Sequence, residues 1–294
     1  MRFIQFLRKN DPKKYLGVAD FNCERMWDLS TANLGCSNEM VKFIEQNFKI
    51  SELNKKLGGL QEEMITEDIK LLPPVTNPKK IIAIGLNYVD HCIEQNKEKP
   101  KEPIFFSKFS NCLIGPGDNI LYPPVTNSLD YEVELAVIIG KKAKDVPKLK
   151  AMDYIFGYTI AQDITARDWQ KQKNGGQFLL GKSMDTFLPL GPSIAHKSII
   201  EDPENLTISC KVNGIEKQHQ KTSNMIFKID EMISYLSQMI TLEPGDVILT
   251  GTPGGVGAHR KPPEFLKVGD VVESEIEGIG KISNKVCEKT KSSE

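Results

Sequence analysis

The sequence predicts an α+β chain that is mostly β, with a small N-terminal α+β domain ahead of a strand-rich body. Two observations lead there. β-branched and apolar runs bounded by Gly, Pro, Asn and Asp recur from residue 79 to 288. Few windows carry helical periodicity, and the clearest is 223–240. That ratio of strands to helices favours an all-β or α+β roll over a doubly wound sheet.

Composition narrows the function. The 294 residues suffice for one large domain or two modest ones, and 39% hydrophobic residues supply a core. A net charge of −1 offers no basic field for nucleic acid or an anionic membrane. The apolar runs are too short to span a bilayer. Six scattered cysteines with no CxxC fit reduced thiols inside a cell. Four histidines with no HxH or HExxH argue against a zinc site. Met1–Leu7 reads as a short strand, with neither a secretory h-region nor an obvious transit peptide.

The N-terminal part opens with two strand-like runs, Phe3–Leu7 and Tyr15–Val18. Residues 38–56 and 60–70 look amphipathic and helical, with Val41, Ile44 and Phe48 on one stripe. The proline-rich stretch from Leu71 to Pro78 is the best boundary. It divides the chain into a small domain, 1–74, and a larger one, 79–288, with a frayed tail at 289–294.

Beyond the break, Ile81–Tyr88 is a buried-type strand running into Val89–Glu94. If that segment is helical, His91 and Glu94 share a face at i, i+3. The pair is either a carboxylate-assisted general base or a chance surface pair. Pro103–Lys108 is the next strand, and Ile114–Gly117 a turn. Asp130–Gly140 then reads as a strand on which Glu132 and Glu134 face the same way. Two carboxylates at the mouth of a buried strand call for a hard cation with oxygen ligands, unless they form a solvated strand end. Lys141–Lys150 reads as a solvated lysine-rich loop. Ile155–Asp163 delivers a third carboxylate, Asp163, which could ligate the same cation, cap the following helix, or do both.

Lys182 follows a Gly-rich loop at 174–176 and could hold a developing oxyanion. No GxxxxGK[ST] precedes it, so this is not a phosphate loop. Residues 206–213 read as a strand, and Asn213-Gly214 signals a hairpin. The stripe Ile226, Ile229, Met232, Ile233, Leu236, Met239 and Ile240 reads as core. Val247–Thr250 leads into the Gly-rich loop 251–257, whose N–H groups and Thr252 hydroxyl could meet an anionic ligand. A last strand pair runs from Gly269 to Val286.

Five motifs in this order carry a resemblance. They are Gly-x-Asn-Tyr-x-x-His-x-x-Glu at 85–94, Asp-Tyr-Glu-Val-Glu-Leu-Ala at 130–136, Ala-Gln-Asp-x-x-Ala-Arg-Asp-Trp-Gln at 161–170, Gly-Lys-Ser-x-Asp at 181–185 and Gly-Asp-Val-Ile-x-Thr-Gly-Thr-Pro-x-Gly-Val-Gly at 245–257. Together they resemble the fumarylacetoacetate hydrolase superfamily over 79–288. The opening strand, the segment around His91 and Arg260–Pro263 are similar to one branch of it, extending the match to nearly the whole chain.

The resemblance implies a mixed β-sandwich roll with a smaller N-terminal domain, a homodimer, and one Mg²⁺ that Mn²⁺ or Ca²⁺ can replace. By position it implies metal ligands at Glu132, Glu134 and Asp163, and a water-activating dyad at His91 and Glu94. It implies a catalytic lysine at Lys182 and substrate-binding residues at Arg167, Gln170 and Thr252. Asp90 aligns near a further metal-binding aspartate of the founding branch. The expected activity is that of a Mg²⁺-dependent enzyme on small 2-oxo or β-diketo acids, through a metal-stabilised enolate. Oxaloacetate keto–enol tautomerisation and acylpyruvate C–C hydrolysis lead; oxaloacetate decarboxylation, or a non-catalytic metal- or metabolite-binding role, are the alternatives. The expected compartment is the cytoplasm or the mitochondrial matrix.

Overall fold

The computed structural model describes residues 1–30, 35–57 and 69–289, with the side chains of Asn54, Lys56 and Leu57 left aside. Its framework is a large mixed sheet. In spatial order the strands are Met26–Asp28, Asp11–Ala19, Arg2–Arg8, Leu188–His196, Ile155–Gln162, Val133–Ile139, Val247–Leu249, Ile81–Gly85 and Ile104–Lys108. Ile69–Leu71 pairs with Arg2–Arg8, and Leu113–Ile114 with Leu188–His196. A second sheet runs Ile215–Lys221, Thr207–Val212, Val271–Ile276, Gly280–Glu288 and Ile120–Tyr122. Most pairings are antiparallel; parallel pairs include Val247–Leu249 with Ile81–Gly85. This is the mostly β, mixed sandwich roll expected.

The Val133–Ile139 strand sits at the centre because every one of its residues is apolar or closed over. Leu135, Val137 and Ile138 are fully buried between the layers. Each such side chain contributes about 1.5–3 kcal/mol relative to exposure. Its neighbours Ile155–Gln162 and Val247–Leu249 are buried as well. A strand enclosed in this way makes a rigid platform for whatever its ends carry. At the sheet's edge Asn213 and Gly214 take φ of 53° and 77°, the left-handed pair that a two-residue hairpin needs.

Several expectations need correction. The helix expected over 38–56 is two helices, Met40–Glu45 and Ile50–Leu57, parted where Asn47 takes φ 49°. Of the helix expected over 60–70, residues 60–68 lie outside the described residues, and 69–70 belong to a strand held by Arg2–Arg8. The 223–240 helix begins only at Ile229, after a short 3-10 turn at Thr222–Asn224. Met239 is 66% exposed and Ile240 38%, so the core stripe ends at Leu236. All six cysteines are free thiols. Among the described residues no helix is long and apolar enough to cross a membrane.

Candidate active site

Strand register brings the carboxylates together. Val133 pairs with Gln162 and Glu134 with Ala161. One step further sets Glu132 opposite Asp163, whose N–H donates to the Glu132 carbonyl at 2.8 Å. Period-two alternation turns Glu132 and Glu134 to one face, and directly opposed residues share a face. The three carboxylates are buried, and their oxygens come within 4.8 Å of one another.

Buried cations surround them. Lys182, at the end of the Phe178–Lys182 helix, places Nζ 2.6 Å from both Glu132 Oε2 and Asp163 Oδ2. Lys108, at the end of its strand, sits 2.6 Å from Asp163 Oδ1 and donates to the carbonyls of Ile164 and Lys182. Arg167 pairs with Asp130 at 2.8 Å and Glu132 at 2.6 Å, and donates to Gln170 Oε1 at 3.0 Å. Burial alone would raise the Glu132 carboxyl, but the charges of Arg167 and Lys182, both in contact with it, hold it below the usual range.

Glu134 differs. Burial, then the negative charges of Asp163 and Glu132, push its carboxyl well above the usual range. Its hydrogen bond comes from the Gly251 N–H at 2.7 Å. Among the described residues, four buried carboxylates (Asp130, Glu132, Glu134, Asp163) thus face three buried cations (Lys108, Arg167, Lys182), and Glu134 is the one with no cationic partner in contact. An all-oxygen, uncompensated acidic set of this kind fits a hard divalent cation.

The His91 segment is a helix, Val89–Glu94. Its entry is fixed by buried Asn87, which donates to the carbonyls of Thr250 and Phe227 and accepts from the Phe227 N–H. Leu86 turns through the left-handed region (φ 54°) to reach that anchor. His91 Nδ1 lies 2.5 Å from Glu94 Oε1, and Gln95 Nε2 lies 2.7 Å from His91 Nε2. With Nδ1–H donating to the carboxylate and the Gln95 amide donating to Nε2, the proton sits on Nδ1 and the lone pair on Nε2.

His91, Glu132, Glu134, Arg167, Gln170, Lys182 and Thr252 all line one cavity of about 400 Å³. Glu94 braces His91 from behind and Asp163 lies beneath Lys182. Two expectations are corrected. Asp163 caps no helix, since the next helix, Arg167–Lys171, has Ala166 at its N-cap. The 251–257 loop presents its N–H groups to the protein's own carboxylates: Gly251 to Glu134, Gly254 to Asp90, Gly255 to Glu94 and Gly257 to Asp130. A side chain at Gly257 would strike the Glu264 carbonyl at 1.9 Å, so only glycine permits that approach. Thr252 Oγ1 donates to the Val133 carbonyl and accepts from Gln218. Asp90 accepts from Gln220, Asn224 and Gly254, and is not among the triad's atoms.

Sequence reasoning missed Lys108, Gln95, Lys171 and His259. A lysine closing an apolar strand was the available signal for Lys108. Lys171 lies at i+4 from Arg167, on the same helix side. His259 follows the Gly-rich loop with no periodicity to mark it.

Residues 80–287 match the family fumarylacetoacetate (FAA) hydrolase C-terminal. The chain belongs to the fumarylacetoacetate hydrolase family. Relatives of this family member extend the match beyond that domain. It is 47% identical over 287 residues to the mitochondrial oxaloacetate tautomerase fahd2 of Xenopus laevis, covering 97% of this chain and 90% of the relative. It is 46% identical to a Dictyostelium discoideum fumarylacetoacetate hydrolase domain-containing protein 2 homolog, covering 88% of each. Among solved structures it is similar to a fumarylacetoacetate hydrolase of Exiguobacterium antarcticum, at TM-score 0.86 and 34% identity over 98% of this chain and all of that one. A maleylpyruvate hydrolase of Sphingobium, solved with manganese(II) and pyruvate, matches at TM-score 0.79 and 28% identity over 99% of this chain and all of that one.

Proposed function

We propose that this protein is a Mg²⁺-dependent oxaloacetate keto–enol tautomerase, with Glu132, Glu134 and Asp163 as ligands and Mn²⁺ or Ca²⁺ able to replace Mg²⁺. The observation that carries this reading is His91, braced by Glu94, in one cavity with a buried acidic triad that lacks one positive charge. The relatives named as oxaloacetate tautomerases support the substrate.

When bound, the cation supplies Lewis-acid polarisation of the 2-oxo group and orients the adjacent carboxylate. His91 Nε2 takes a proton from C3 of the keto acid, and Glu94 stabilises the imidazolium that results. Electron density moves from the broken C–H bond to the 2-oxo oxygen, where the Lys182 ammonium supplies positive charge. The imidazolium returns that proton to the 2-oxo oxygen, which completes the enol and restores the neutral His91; the reverse sequence returns the keto form. Gln170 and Arg167 position the substrate carboxylate, and Thr252 closes the wall.

A second reading, hydrolytic C–C cleavage of an acylpyruvate with His91 activating water, is favoured by the likeness to the maleylpyruvate hydrolase. Proton NMR of oxaloacetate and of acetylpyruvate, with Mg²⁺ and with excess EDTA, separates the two. EDTA-sensitive acceleration of enol–keto exchange without pyruvate is expected. Pyruvate from acetylpyruvate would favour the hydrolase, and pyruvate from oxaloacetate a decarboxylase. No change in either substrate would leave a binding protein.

The same reading keeps 1–74 and 79–288 as two domains, sharing one sheet through the pairing of Arg2–Arg8 with Leu188–His196. It includes a homodimer, which light scattering on the purified chain checks. It also places the protein in the mitochondrial matrix, in line with the names of its relatives.

A further inference from the structure

The cavity has an acidic floor and a cationic rim. At the rim, Lys171 Nζ lies 3.1 Å from His259 Nε2, and Lys97 lines the same opening. An ammonium group has donors only, so Nε2 accepts and the His259 proton sits on Nδ1. Every other cation the cavity chemistry uses is closed on a carboxylate: Lys108 on Asp163, Lys182 on Glu132 and Asp163, Arg167 on Asp130 and Glu132. Lys171 is not; among the described residues its hydrogen-bond partner is the neutral His259. Burial, then the charges of Arg167 and Lys97, hold Lys171 below the ordinary lysine range. Burial, then Lys171, hold His259 down to about 4. Among the described residues no carboxylate contacts Lys171; Glu132 and Asp130 act on it only from a distance.

Its placement fits a diacid. The His259 ring stands edge to face with His91, 6.2 Å between centroids. An extended four-carbon diacid spans roughly 6 Å between its outermost oxygens. A substrate held at the floor by its 2-oxo acid end, with C3 toward His91, carries its far carboxylate toward the rim.

We propose that Lys171, supported by His259, recognises the distal carboxylate of a short 2-oxo dicarboxylate and makes the site select diacids over 2-oxo monoacids. The proposal deepens the tautomerase reading and rests on it for the orientation of the substrate. Lys171 supplies the charge-assisted hydrogen bond, and His259 holds the ammonium over the opening. Lys171 is a substrate-binding residue and His259 positions it; neither touches the proton that moves.

The test separates this proposal from the activity by measuring binding. Malate and lactate differ only in the distal carboxylate, and neither has a keto form to enolise. Calorimetry in Mg²⁺ compares the wild-type protein with Lys171→Met, Lys171→Arg and His259→Phe. The expected result is that the wild type prefers malate, that Lys171→Met weakens malate at least tenfold and lactate less than twofold, and that Lys171→Arg restores most of the preference. His259→Phe should weaken malate several-fold. Equal loss for both ligands, no loss for malate, or a wild type with no preference for malate would overturn the proposal. A malate preference that depends on Lys171, in a protein that leaves oxaloacetate unchanged, would keep the rim assignment and remove the tautomerase.

Discussion

Lys108 Nζ lies 2.6 Å from Asp163 Oδ1, and neither side chain is exposed. Lys182 takes the other oxygen of the same carboxylate, so Asp163 is held between two ammonium groups. Removing one member of a buried pair costs about 3–5 kcal/mol because the other charge is stranded. Lys108→Met should therefore destabilise the protein by that order in urea unfolding with EDTA present. Saturating Mg²⁺ should recover part of the loss, because a cation on the triad replaces some of the missing charge. The same loss with and without Mg²⁺ would mean that Asp163 does not sense the ion.

Glu134 gives a prediction of opposite sign. Its carboxyl titrates above its unfolded value, so the protonated form is favoured by folding. The contribution is fully present below about pH 4 and is lost as pH rises through the raised folded-state value. In EDTA at neutral pH, Glu134→Gln should be more stable than wild type. With excess Mg²⁺ the order should reverse, since the amide lacks the charge that ligates. Thermal melts in the two conditions read both arms, and a variant stabilised by Mg²⁺ as much as wild type would exclude Glu134 as a ligand.

His91 and Glu94 should separate binding from turnover. General base catalysis typically contributes 10²–10⁴-fold. His91→Ala should lower the enol–keto exchange rate within about that range while malate still binds. Glu94→Gln should cost less, because it keeps the geometry and loses the charge. Exchange rates by NMR at matched substrate decide the matter; an unimpaired His91→Ala protein would send the search for the base elsewhere.

Asn87 makes its contribution through structure. Its amide satisfies three buried backbone groups drawn from Thr250 and Phe227. At about 1 kcal/mol for each bond, Asn87→Ala should lose roughly 2–4 kcal/mol of stability in urea unfolding. It should also release the His91 helix, so exchange falls even where the protein remains folded. A stable, fully active variant would show that the Val89–Glu94 helix finds its place without this anchor.

The parts legible in sequence were those carried by period. Two-residue alternation marked Glu132 and Glu134, and a strand ending in Asp163 supplied the third carboxylate. Three-residue spacing marked His91 and Glu94. What stayed hidden depends on pairings between distant segments. Lys108 lies 55 residues from Asp163, and only the sheet closes that gap. The Gly-rich loop reads as a cradle for an external anion, since no local signal says which carboxylates its N–H groups will meet. The helix expected over 38–56 is broken at Asn47, where a left-handed residue parts the two short pieces.

The loop from Gly251 to Ala258 reaches one carboxylate of the triad, the acid behind His91, and the Asp130 that grips Arg167. The acidic floor, the Glu94 beside His91 and the Arg167 guanidinium are thus tuned from a single backbone. A mutation there changes several functions together, and laboratory evolution aimed at new substrates should find it nearly closed to change. Lys171, at the rim, takes part in none of those bonds. New specificity can be written there while that backbone is left intact.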